Sequence, residues 1–576
     1  MAGEDRLSGL PDDLLRRVLH FAPVKEAAST TALSRRWRTA LWRSSGAVNL
    51  EARIDHRLHY QEAVARRDAF VSAALASLDA AADDGGHVKR LTLRIESDGD
   101  DNRLDDFLNR DRYDKYECEV NPNVVDVVLS HLAARRVEEL RLVAQESRSQ
   151  SLDDDMEIFL SRVGAYRLNL DLLPLETLRV LEITNCRGLN QPEAGAVALP
   201  QLSSLQLRHC AQSLGSLQSI IDAAPVLSAI CLESVQIDDY DIDEEEDNDH
   251  LLPTEGALQL LRLRCPAATL LVLEKCMWET RARILQRHCS SSLSLVAAEI
   301  HAPRLRRFRY KGLLRPFSFS PQPPELQQVD LQFSPDTNYR NNDPDRDLAT
   351  FWRLVRSFTS AKDMKLSLKL EAIAMVSKAM QAELLPAFSS LGRLELHVVH
   401  GKNVKKAAVA IANLLHCCPV LRDLWINLTT EDHHTSKNHE HTREFLKRKF
   451  QSSRDNPADR FDCGCDSEEG DDEAISSVAY DEVSEIPALS RRSFECLQSS
   501  LSRVGFQFRF EKLNCLGVKI IKFFAENAMV LEEMHIDGGN GKFCRHVNRK
   551  IETCITRSSK RRNQEVRNFA VLTLKR

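Results

Sequence analysis

Residues 200–207 read Pro-Gln-Leu-Ser-Ser-Leu-Gln-Leu, and this short stretch decides the fold. Its apolar residues, Leu202, Leu205 and Leu207, are separated first by two residues and then by one. A β-strand places alternate side chains on one face, so Leu205 and Leu207 are expected to enter the same core. Pro200 is expected to end the preceding segment, because a proline pushes the residue before it out of helical geometry. The stretch predicts a short buried strand.

The same spacing recurs between about Val88 and Ile536. Six copies have a proline two residues ahead of the first apolar position, and this shared offset favours one repeating unit over the scattered strands of another α/β fold. The unit is the strand half of a leucine-rich repeat, with a helix such as 216–224 between strands. The copies are Val137/Leu140/Leu142, Leu178/Leu181/Ile183, Leu202/Leu205/Leu207, Leu227/Ile230/Leu232, Ala268/Leu271/Leu273, Leu305/Phe308/Tyr310, Leu326/Val329/Leu331, Leu391/Leu394/Leu396, Leu421/Leu424/Ile426 and Leu531/Met534/Ile536.

The first fifty residues carry a different pattern, that of short amphipathic helices. Pro11 suits the first turn of a helix, and Asp12 and Asp13 follow where the helix dipole favours negative charge. A second helix is expected after Pro23, and Ser34 suits the N-cap of a third. The apolar face of the first helix is predicted to hold Leu14, Leu15, Val18 and Leu19.

Three such helices make too small a core to fold well alone, and their apolar faces are wider than a shared core requires. This predicts a partner surface. From about Asp5 to Leu50 the segment resembles the F-box, the module that docks a substrate receptor on the Skp adaptor of cullin-based ubiquitin ligases. The resemblance rests on Leu10-Pro11, on the leucine ridge that follows, and on the sequence Leu-Ser-Arg-Arg-Trp at 33–37.

The F-box resemblance implies binding to the Skp adaptor and, through it, to the cullin scaffold. Some of the residues it designates, Trp37 above all, could belong to the internal core of the module instead. The residues designated for adaptor binding are Leu10, Pro11, Leu14, Leu15, Val18, Leu19, Leu33, Ser34, Trp37 and Trp42.

The C-terminal part resembles the FBD module that closes many plant F-box and leucine-rich-repeat proteins, with a helix carrying Val518, Ile521 and Phe524 inward. The resemblance implies an α/β fold in which a three-helix F-box precedes an irregular leucine-rich-repeat solenoid with an FBD-like end. The expected boundaries are 5–50 for the F-box, 80–428 for the repeats, 429–493 for a polar, disordered insertion, 494–545 for the FBD-like region with the last repeat strand, and 546–576 for a basic tail.

Composition narrows the class of protein. A hydrophobic fraction of 43% supplies ample core, and a net charge of −6 gives the whole chain no general affinity for nucleic acid. No apolar run approaches the ~20 residues that span a bilayer, and the first residues lack the apolar stretch of a secretory signal. The 15 cysteines are therefore expected to be free core thiols in a reducing compartment, for example Cys186, Cys210, Cys231 and Cys276.

Three candidate sites are weak. The run Asp238–Asp249 holds nine carboxylates, but Glu244 and His250 stand where a calcium loop starting at Asp239 needs glycine and glutamate. His439/His441 and Cys463/Cys465 have one-residue gaps, shorter than zinc pairs use. The stretch 538–542 lacks the spacer and the hydroxyl residue of a phosphate loop. No catalytic spacing is present, so the sequence predicts no metal, no cofactor and no enzyme activity.

The tail is basic: from Gly541 onward there are eleven Lys or Arg and two Glu. Arg549-Lys550 and Lys560-Arg561-Arg562 loosely resemble a bipartite nuclear import signal. A solvated charged face is the simpler interpretation. The interleaved aromatic residues of a single-strand groove are absent, so nucleic acid is not the favoured partner.

The favoured interpretation is a non-catalytic substrate-recognition subunit of a Skp–cullin–F-box ubiquitin ligase, whose repeats bind a protein target of unknown identity. One alternative is a leucine-rich-repeat scaffold that binds the Skp adaptor without ubiquitination. Another is a nuclear, nucleic-acid-associated binder acting through the basic tail. No membrane partner is expected, and the expected location is the cytoplasm, the nucleus or both.

Overall fold

The computed structural model forms two compact units, Met1–Leu305 with Phe319–Pro321, and Arg306–Ser318 with Gln322–Arg576. The residues that it describes are 10–33, 35–38, 42–55, 60–82, 87–98, 103–109, 123–146, 164–190, 197–238, 260–279, 297–334, 344–375, 377–401, 403–430, 489, 492–508, 515–537 and 570–572.

The first unit begins with short helices. Pro11 occupies the N-cap position of the first of them, and Asp12 and Asp13 lie in its first turn, where their charge opposes the helix dipole favourably. The three helices are α1 (Asp12–Leu19), α2 (Val24–Ser29) and α3 (Arg35–Arg38), with 3₁₀ turns at Thr30–Ala32 and Arg43–Ser45.

Four further helices follow among the described residues of this unit. The last of them overlaps the predicted helical stretch 216–224 but ends at Asp222, and Leu217, Ile220 and Ile221 are buried on it as expected. Ser213 caps this helix by accepting a hydrogen bond from the backbone N–H of Ser216 at 3.1 Å. The four are α4 (Tyr60–Ala82), α5 (Arg103–Leu108), α6 (Val124–Leu129) and α7 (Leu214–Asp222), with 3₁₀ turns at Leu132–Arg136 and Leu170–Leu172.

Seven of the described strands of the first unit pair in parallel and in chain order to form a ladder, and the other strands form shorter pairings. They are β1 (Ala47–Ile54), β2 (Arg90–Ser97), β3 (Glu139–Glu146), β4 (Tyr166–Asn169), β5 (Val180–Thr184), β6 (Cys186–Asn190), β7 (Ser204–Arg208), β8 (Ala211–Ser213), β9 (Ala229–Glu233), β10 (Gln236–Asp238), β11 (Leu260–Arg264), β12 (Leu270–Glu274), β13 (Met277–Glu279) and β14 (Ala297–His301). The ladder joins β1, β2, β3, β5, β7, β9 and β12. Shorter pairings join β4 to β6, β10 to β8 and β13, and β11 to β14.

The register of this ladder places equivalent apolar residues of successive strands next to one another. The Cα partners of one column are Leu140, Leu181, Leu205, Ile230 and Leu271. Across the chain, all thirty apolar side chains of the ten predicted copies are at most 6% exposed. Stacked apolar columns of this kind supply the core that no single short strand could bury.

The residue after several ladder strands has a left-handed backbone. Asn185, His209, Ser234 and Lys275 have φ of 58°, 50°, 52° and 52°. The N–H groups of the first three donate to the carbonyls of Arg208, Glu233 and Glu274 in the next strand, at 2.7–2.9 Å. The turn therefore extends the ladder by one bond and then directs a small buried residue, such as Cys210, inward.

The second unit also contains a parallel ladder in chain order. Its helices are α8 (Pro344–Arg356), α9 (Lys378–Leu384), α10 (Val404–Cys417), α11 (Glu495–Ser499) and α12 (Cys515–Asn527), with a 3₁₀ turn at Leu370–Ile373. The remaining strands are β15 (Arg307–Gly312), β16 (Phe317–Phe319), β17 (Gln328–Phe333), β18 (Asp363–Lys369), β19 (Arg393–His400), β20 (Asp423–Thr430), β21 (Arg503–Phe508), β22 (Glu533–Asp537) and β23 (Ala570–Leu572). The ladder begins with β15, which pairs with β17, and then continues strand by strand from β17 through β23.

Several features of the ladders were not anticipated by the sequence. Strand pairing starts at Ala47, before the expected start of the repeats at 80. Strands β18 and β21 carry the apolar spacing Ala361/Met364/Leu366 and Leu501/Val504/Phe506, all buried, without the proline two residues ahead. Of the insertion at 429–493, residues 431–488 lie outside the described part, as does most of the basic tail.

Eight of the cysteines in the described stretches are free thiols, and all of these but Cys231 are buried. Burial raises the pKa of Cys210 to about 12, so this thiol stays protonated and inert at neutral pH. The predicted core role is confirmed for Cys186, Cys210 and Cys276, whereas Cys231 is partly exposed. Within the described stretches, no helix combines the length and the apolar character needed to cross a membrane.

Candidate functional site

In the helical segment Leu10–Ser45, two of the four apolar residues predicted for one face of the first helix are buried in the core of the segment itself. Leu15 is 0% exposed and Leu19 is 3% exposed. Trp37 and Trp42 are also buried, so each contributes to a small shared core. These four side chains hold the helices together and leave little apolar surface of their own to a partner.

Three large apolar side chains on α1 and in the turn that follows it are exposed. Leu14, Val18 and Phe21 are 46%, 53% and 63% exposed, and they follow one another at helical spacing. We call these three residues the exposed stripe. Leu33, which follows the 3₁₀ turn Thr30–Ala32, is 66% exposed. Large apolar side chains clustered on the surface typically mark a protein interaction site.

Arg36 fastens the third helix to the start of the first. Its Nε donates to Asp12 Oδ1 at 2.7 Å, and its Nη2 donates to the backbone carbonyl oxygen of Leu10. A planar guanidinium suits this double contact because its donors diverge in a fixed fork. The contact positions Leu10 and Pro11 at the N-terminal end of the exposed stripe.

Polar contacts fasten the other end of α1 to strand β1 and the turn before it. The Asn49 side-chain amide donates to the carbonyl oxygens of His20 and Ala22, each at 2.9 Å. His20 Nδ1 lies 3.0 Å from the carbonyl oxygen of Ser45. Since Asn49 belongs to β1, the exposed stripe has a fixed orientation relative to the first strands of the ladder.

Arg90, from strand β2, contacts Phe21 at one end of the exposed stripe. Its guanidinium carbon is 4.9 Å from the ring centroid of Phe21. Burial lowers the pKa of Arg90, and Arg141 lowers it further, while Glu139 opposes the shift. A cation–π contact gains strength where the cation is desolvated, so this contact helps to hold Phe21 in place.

The outward face of the first ladder is charged. Glu182 lies 3.7 Å from Arg141 and 3.8 Å from Arg208, and Arg208 lies 3.1 Å from Glu233. Arg90 continues the chain of charges through Glu139, at 3.9 Å. Alternating charges on neighbouring strands leave this face polar and close to neutral, which suits recognition of another protein surface more than an apolar ligand.

The structure separates the ten predicted binding residues by exposure. Ser34 lies outside the described residues. Pro11, Leu14, Val18 and Leu33 are exposed and Leu10 is partly exposed, whereas the buried ones are Leu15, Leu19, Trp37 and Trp42.

Sequence reasoning missed Phe21, Arg36 and Asn49. Phe21 follows Leu14 and Val18 at offsets of seven and three, so the apolar period could have been extended to it. Asn49 is an isolated polar residue in the otherwise apolar start of β1, which is the usual sign of a buried hydrogen-bonding role.

The calcium-loop, zinc and phosphate-loop candidates of the sequence lie almost entirely outside the described residues. The stretch 538–542, the histidines and cysteines of 433–465, and most of the acidic run lie outside the described residues. Within the described part of the chain, no three or more His, Cys, Asp or Glu side chains are grouped to hold a metal ion.

Comparison with known proteins matches two parts of the chain. Residues 7–45 match the F-box domain, and residues 125–243 match the leucine-rich repeats described for the FBD-associated F-box protein At5g56370. The first match covers the helices that carry the exposed stripe, and the second covers strands β3 to β10.

Three Arabidopsis thaliana proteins illustrate the similarity. A putative F-box/FBD/LRR-repeat protein (At3g49480) is 54% identical over 46 residues, 8% of this chain and 10% of its own length. A putative FBD-associated F-box protein (At3g12840) is 53% identical over 47 residues, 8% of this chain and 25% of its own. An F-box/LRR-repeat protein (At3g58940) is 24% identical over 234 residues, 40% of this chain and 33% of its own. Each alignment spans well under two thirds of the relative.

Proposed function

We propose that this chain, which carries an N-terminal F-box followed by a leucine-rich-repeat region and is similar to plant F-box/FBD/LRR proteins, is the substrate-recognition subunit of a Skp–cullin–F-box ubiquitin ligase. In this proposal a three-helix F-box docks the Skp adaptor, and the adaptor joins the chain to the cullin scaffold. The irregular repeat solenoid, with its FBD-like end at 494–545, binds a protein target.

The exposed stripe carries the proposal. Leu14, Val18 and Phe21 are about half exposed, which forfeits burial worth about 1 kcal/mol for each side chain, roughly half of the value for complete burial. The segment holds them outward nonetheless, because Leu15 and Leu19 already fill its core. A partner with an apolar groove would recover that free energy.

Exposure divides the roles that we assign. Direct contact with the Skp adaptor is assigned to Leu10, Pro11, Leu14, Val18, Leu33 and Ser34, to which we add Phe21. The buried residues Leu15, Leu19, Trp37 and Trp42 are assigned to support, since they set the position of the helices rather than touch the adaptor.

The proposed mechanism is proximity and involves no catalytic residue of this chain. Holding a target beside a charged ubiquitin-conjugating enzyme converts a bimolecular encounter into an effectively intramolecular one. The link from Asn49 to the end of α1 matters here, because it holds the helical segment at a fixed orientation to the first strands of the repeat ladder. The free thiols favour a reducing location, which we take to be the cytoplasm or the nucleus.

Adaptor binding by a stripe variant tests the proposal. Truncation of central interface anchors costs roughly 2–4 kcal/mol, so Leu14→Ser/Val18→Ser should weaken binding to purified Skp adaptor by at least about 30-fold in calorimetry. Leu132→Ser is the matched control, since Leu132 is 74% exposed on a different turn. The control should bind like the wild type. Equal affinities for all three proteins would refute the docking assignment.

A further inference from the structure

Trp425 differs from the other tryptophans of the chain. All five lie within the described residues, and the other four, Trp37, Trp42, Trp278 and Trp352, are at most 8% exposed. Trp425 is partly exposed on the outward face of strand β20. A large aromatic side chain on a sheet face that otherwise carries polar residues calls for a specific explanation.

A glycine on the next strand makes room for the indole. Gly505 is the Cα partner of Trp425, and a Cβ atom added to it would lie 2.3 Å from Trp425 Cε3. Any other residue there would push the ring away. The indole continues toward His535 on β22, with ring centroids 5.6 Å apart and planes 20° from parallel. We call Trp425, Gly505 and His535 the aromatic platform.

No cation of the described residues lies over Trp425. Two other aromatic rings of the described residues do have a cation over them: Arg90 lies over the exposed Phe21 at 4.9 Å, and Arg43 lies over the buried Trp42 at 5.6 Å. Close to the platform, the Arg503 guanidinium donates hydrogen bonds of 2.5 and 2.7 Å to the Asp423 carboxylate.

Carboxylates flank the platform. Glu533 Oε1 lies 2.8 Å from His535 Nε2, and Glu395 Oε1 lies 2.6 Å from His397 Nε2 and 3.1 Å from Lys365 Nζ. Each carboxylate keeps its second oxygen, Oε2, without a hydrogen-bond partner among the described residues. Glu395 is the Cα partner of Trp425 on β19, and Glu533 lies two residues before His535 on β22.

The Glu395 carboxylate is ionised at neutral pH. Burial raises its pKa, but hydrogen bonds from His397 and Lys365 outweigh burial and leave the pKa lower than usual. Lys365 balances the charge of Glu395, and Arg503 interacts electrostatically with Glu533, but the carboxylate oxygens accept hydrogen bonds and offer no donor to an anionic ligand. A cationic ligand would meet acceptors at both sides of an open aromatic face.

We propose that the aromatic platform binds an arginine side chain of the protein target. A guanidinium is flat, so it stacks on the indole face, and its diverging N–H donors reach carboxylate oxygens at the rim. An ammonium group lacks the flat shape and the fork. This assignment rests on the proposed function of the repeats as the target-binding region, and it names the side-chain chemistry that they recognise.

The test uses the full-length chain labelled with 5-fluorotryptophan, which gives one ¹⁹F resonance for each of the five tryptophans. Trp425→Phe assigns the platform signal by its loss. The probes are the peptides acetyl-Gly-Arg-Gly-amide and acetyl-Gly-citrulline-Gly-amide, which differ in charge and hardly in shape. We expect a saturable shift of the Trp425 resonance with the arginine peptide, and binding about tenfold weaker with citrulline, as loss of a cation–π contact and a charged hydrogen bond implies.

Two variants sharpen the test. Gly505→Ala should displace the indole and abolish the response, while the matched control Gly392→Ala should respond like the wild type, because its Cβ would have no neighbour closer than 4.0 Å. Glu533→Gln, which removes only charge, should weaken the arginine response and spare the citrulline one. Equal responses to both peptides, or an arginine response unaffected by Gly505→Ala and Glu533→Gln, would overturn the assignment. Binding of the Skp adaptor is tested separately with the Leu14→Ser/Val18→Ser variant. The adaptor-docking proposal and the arginine-binding proposal can therefore fail independently.

Discussion

Asn49 Nδ2 donates a hydrogen bond of 2.9 Å to the carbonyl oxygen of Ala22, and a second of the same length to His20. Both acceptors follow the last turn of α1, where carbonyl groups lack partners within the helix. Asn49 itself is buried in β1. A single side chain thereby satisfies the end of the first helix and attaches it to the first strand of the ladder.

Asn49→Asp should break this attachment. A carboxylate cannot donate, so two carbonyl oxygens would lose their donor and face a buried negative charge, at a cost of about 2–3 kcal/mol. We expect a lower urea midpoint and faster tryptic cleavage within residues 10–45. Asn169→Asp is the matched control, because Asn169 serves as an acceptor for the N–H of Asp171 and an aspartate keeps that role. If both variants behaved alike, Asn49 would not be the attachment.

Neighbouring leucines of α1 should give opposite phenotypes. Leu15→Ala leaves a cavity in the core of the helical segment and should cost about 2–5 kcal/mol of stability. Leu14→Ala removes an exposed side chain and should change stability by less than about 0.5 kcal/mol while weakening adaptor binding. Thermal unfolding and calorimetric titration separate the two. A stable Leu15→Ala protein with weak adaptor binding would place Leu15 in the interface instead of the core.

Asp126 should make stability depend on pH. Burial raises its pKa from 3.8 to about 6, and its Oδ1 has no hydrogen-bond partner among the described residues. Because the folded pKa exceeds the unfolded one, folding favours the protonated acid, and the native state loses stability as the pH rises from about 4 to 6.

Asp126→Asn removes that penalty. We expect it to raise stability by about 1 kcal/mol at pH 7.5, after allowance for the partial exposure of the carboxyl, and to change nothing at pH 3.5. Urea midpoints measured at both pH values give the comparison. A difference between variant and wild type that does not vary with pH would show that the carboxyl ionises normally.

Lys275→Gly should stabilise the first unit. Its φ of 52° is strained for a residue with a Cβ, and glycine removes about 1–2 kcal/mol of strain against about 0.5–1 kcal/mol of added entropy in the unfolded chain. The net gain is expected near 0.5–1 kcal/mol in urea midpoints. Lys311→Gly, placed inside strand β15, should lose stability instead, since no strain is relieved there. A loss at both positions would contradict the argument.

Local spacing predicted the strands well because the ladder repeats one requirement. Each copy must bury residues such as Leu205 and Leu207 against the copies before and after it, so the apolar spacing appears directly in the sequence. The proline offset was a weaker guide. Four of the ten predicted copies lack it, and so do strands β18 and β21, which were missed and have Thr359 and Ser499 at the corresponding positions.

The site was harder to predict than the fold. Helical periodicity placed Leu14, Leu15, Val18 and Leu19 on one face, but it could not tell which of them would be used by the core of the segment itself. Contacts between residues far apart in the sequence, such as Arg36 with Asp12, depend on how the helices pack. Gly505 did carry a readable signal, because a glycine inside a strand commonly marks the close approach of another group.

Ubiquitin transfer in a reconstituted reaction tests the central claim most directly. A protein recovered with the chain is incubated with Skp adaptor, cullin complex, activating and conjugating enzymes, and either the wild-type chain or Leu14→Ser/Val18→Ser. We predict that the wild type supports ubiquitination of the recovered protein, and that the variant still binds it but leaves it unmodified. A recovered protein that stays unmodified with the wild type, although the adaptor is bound, would contradict the account and identify a scaffold.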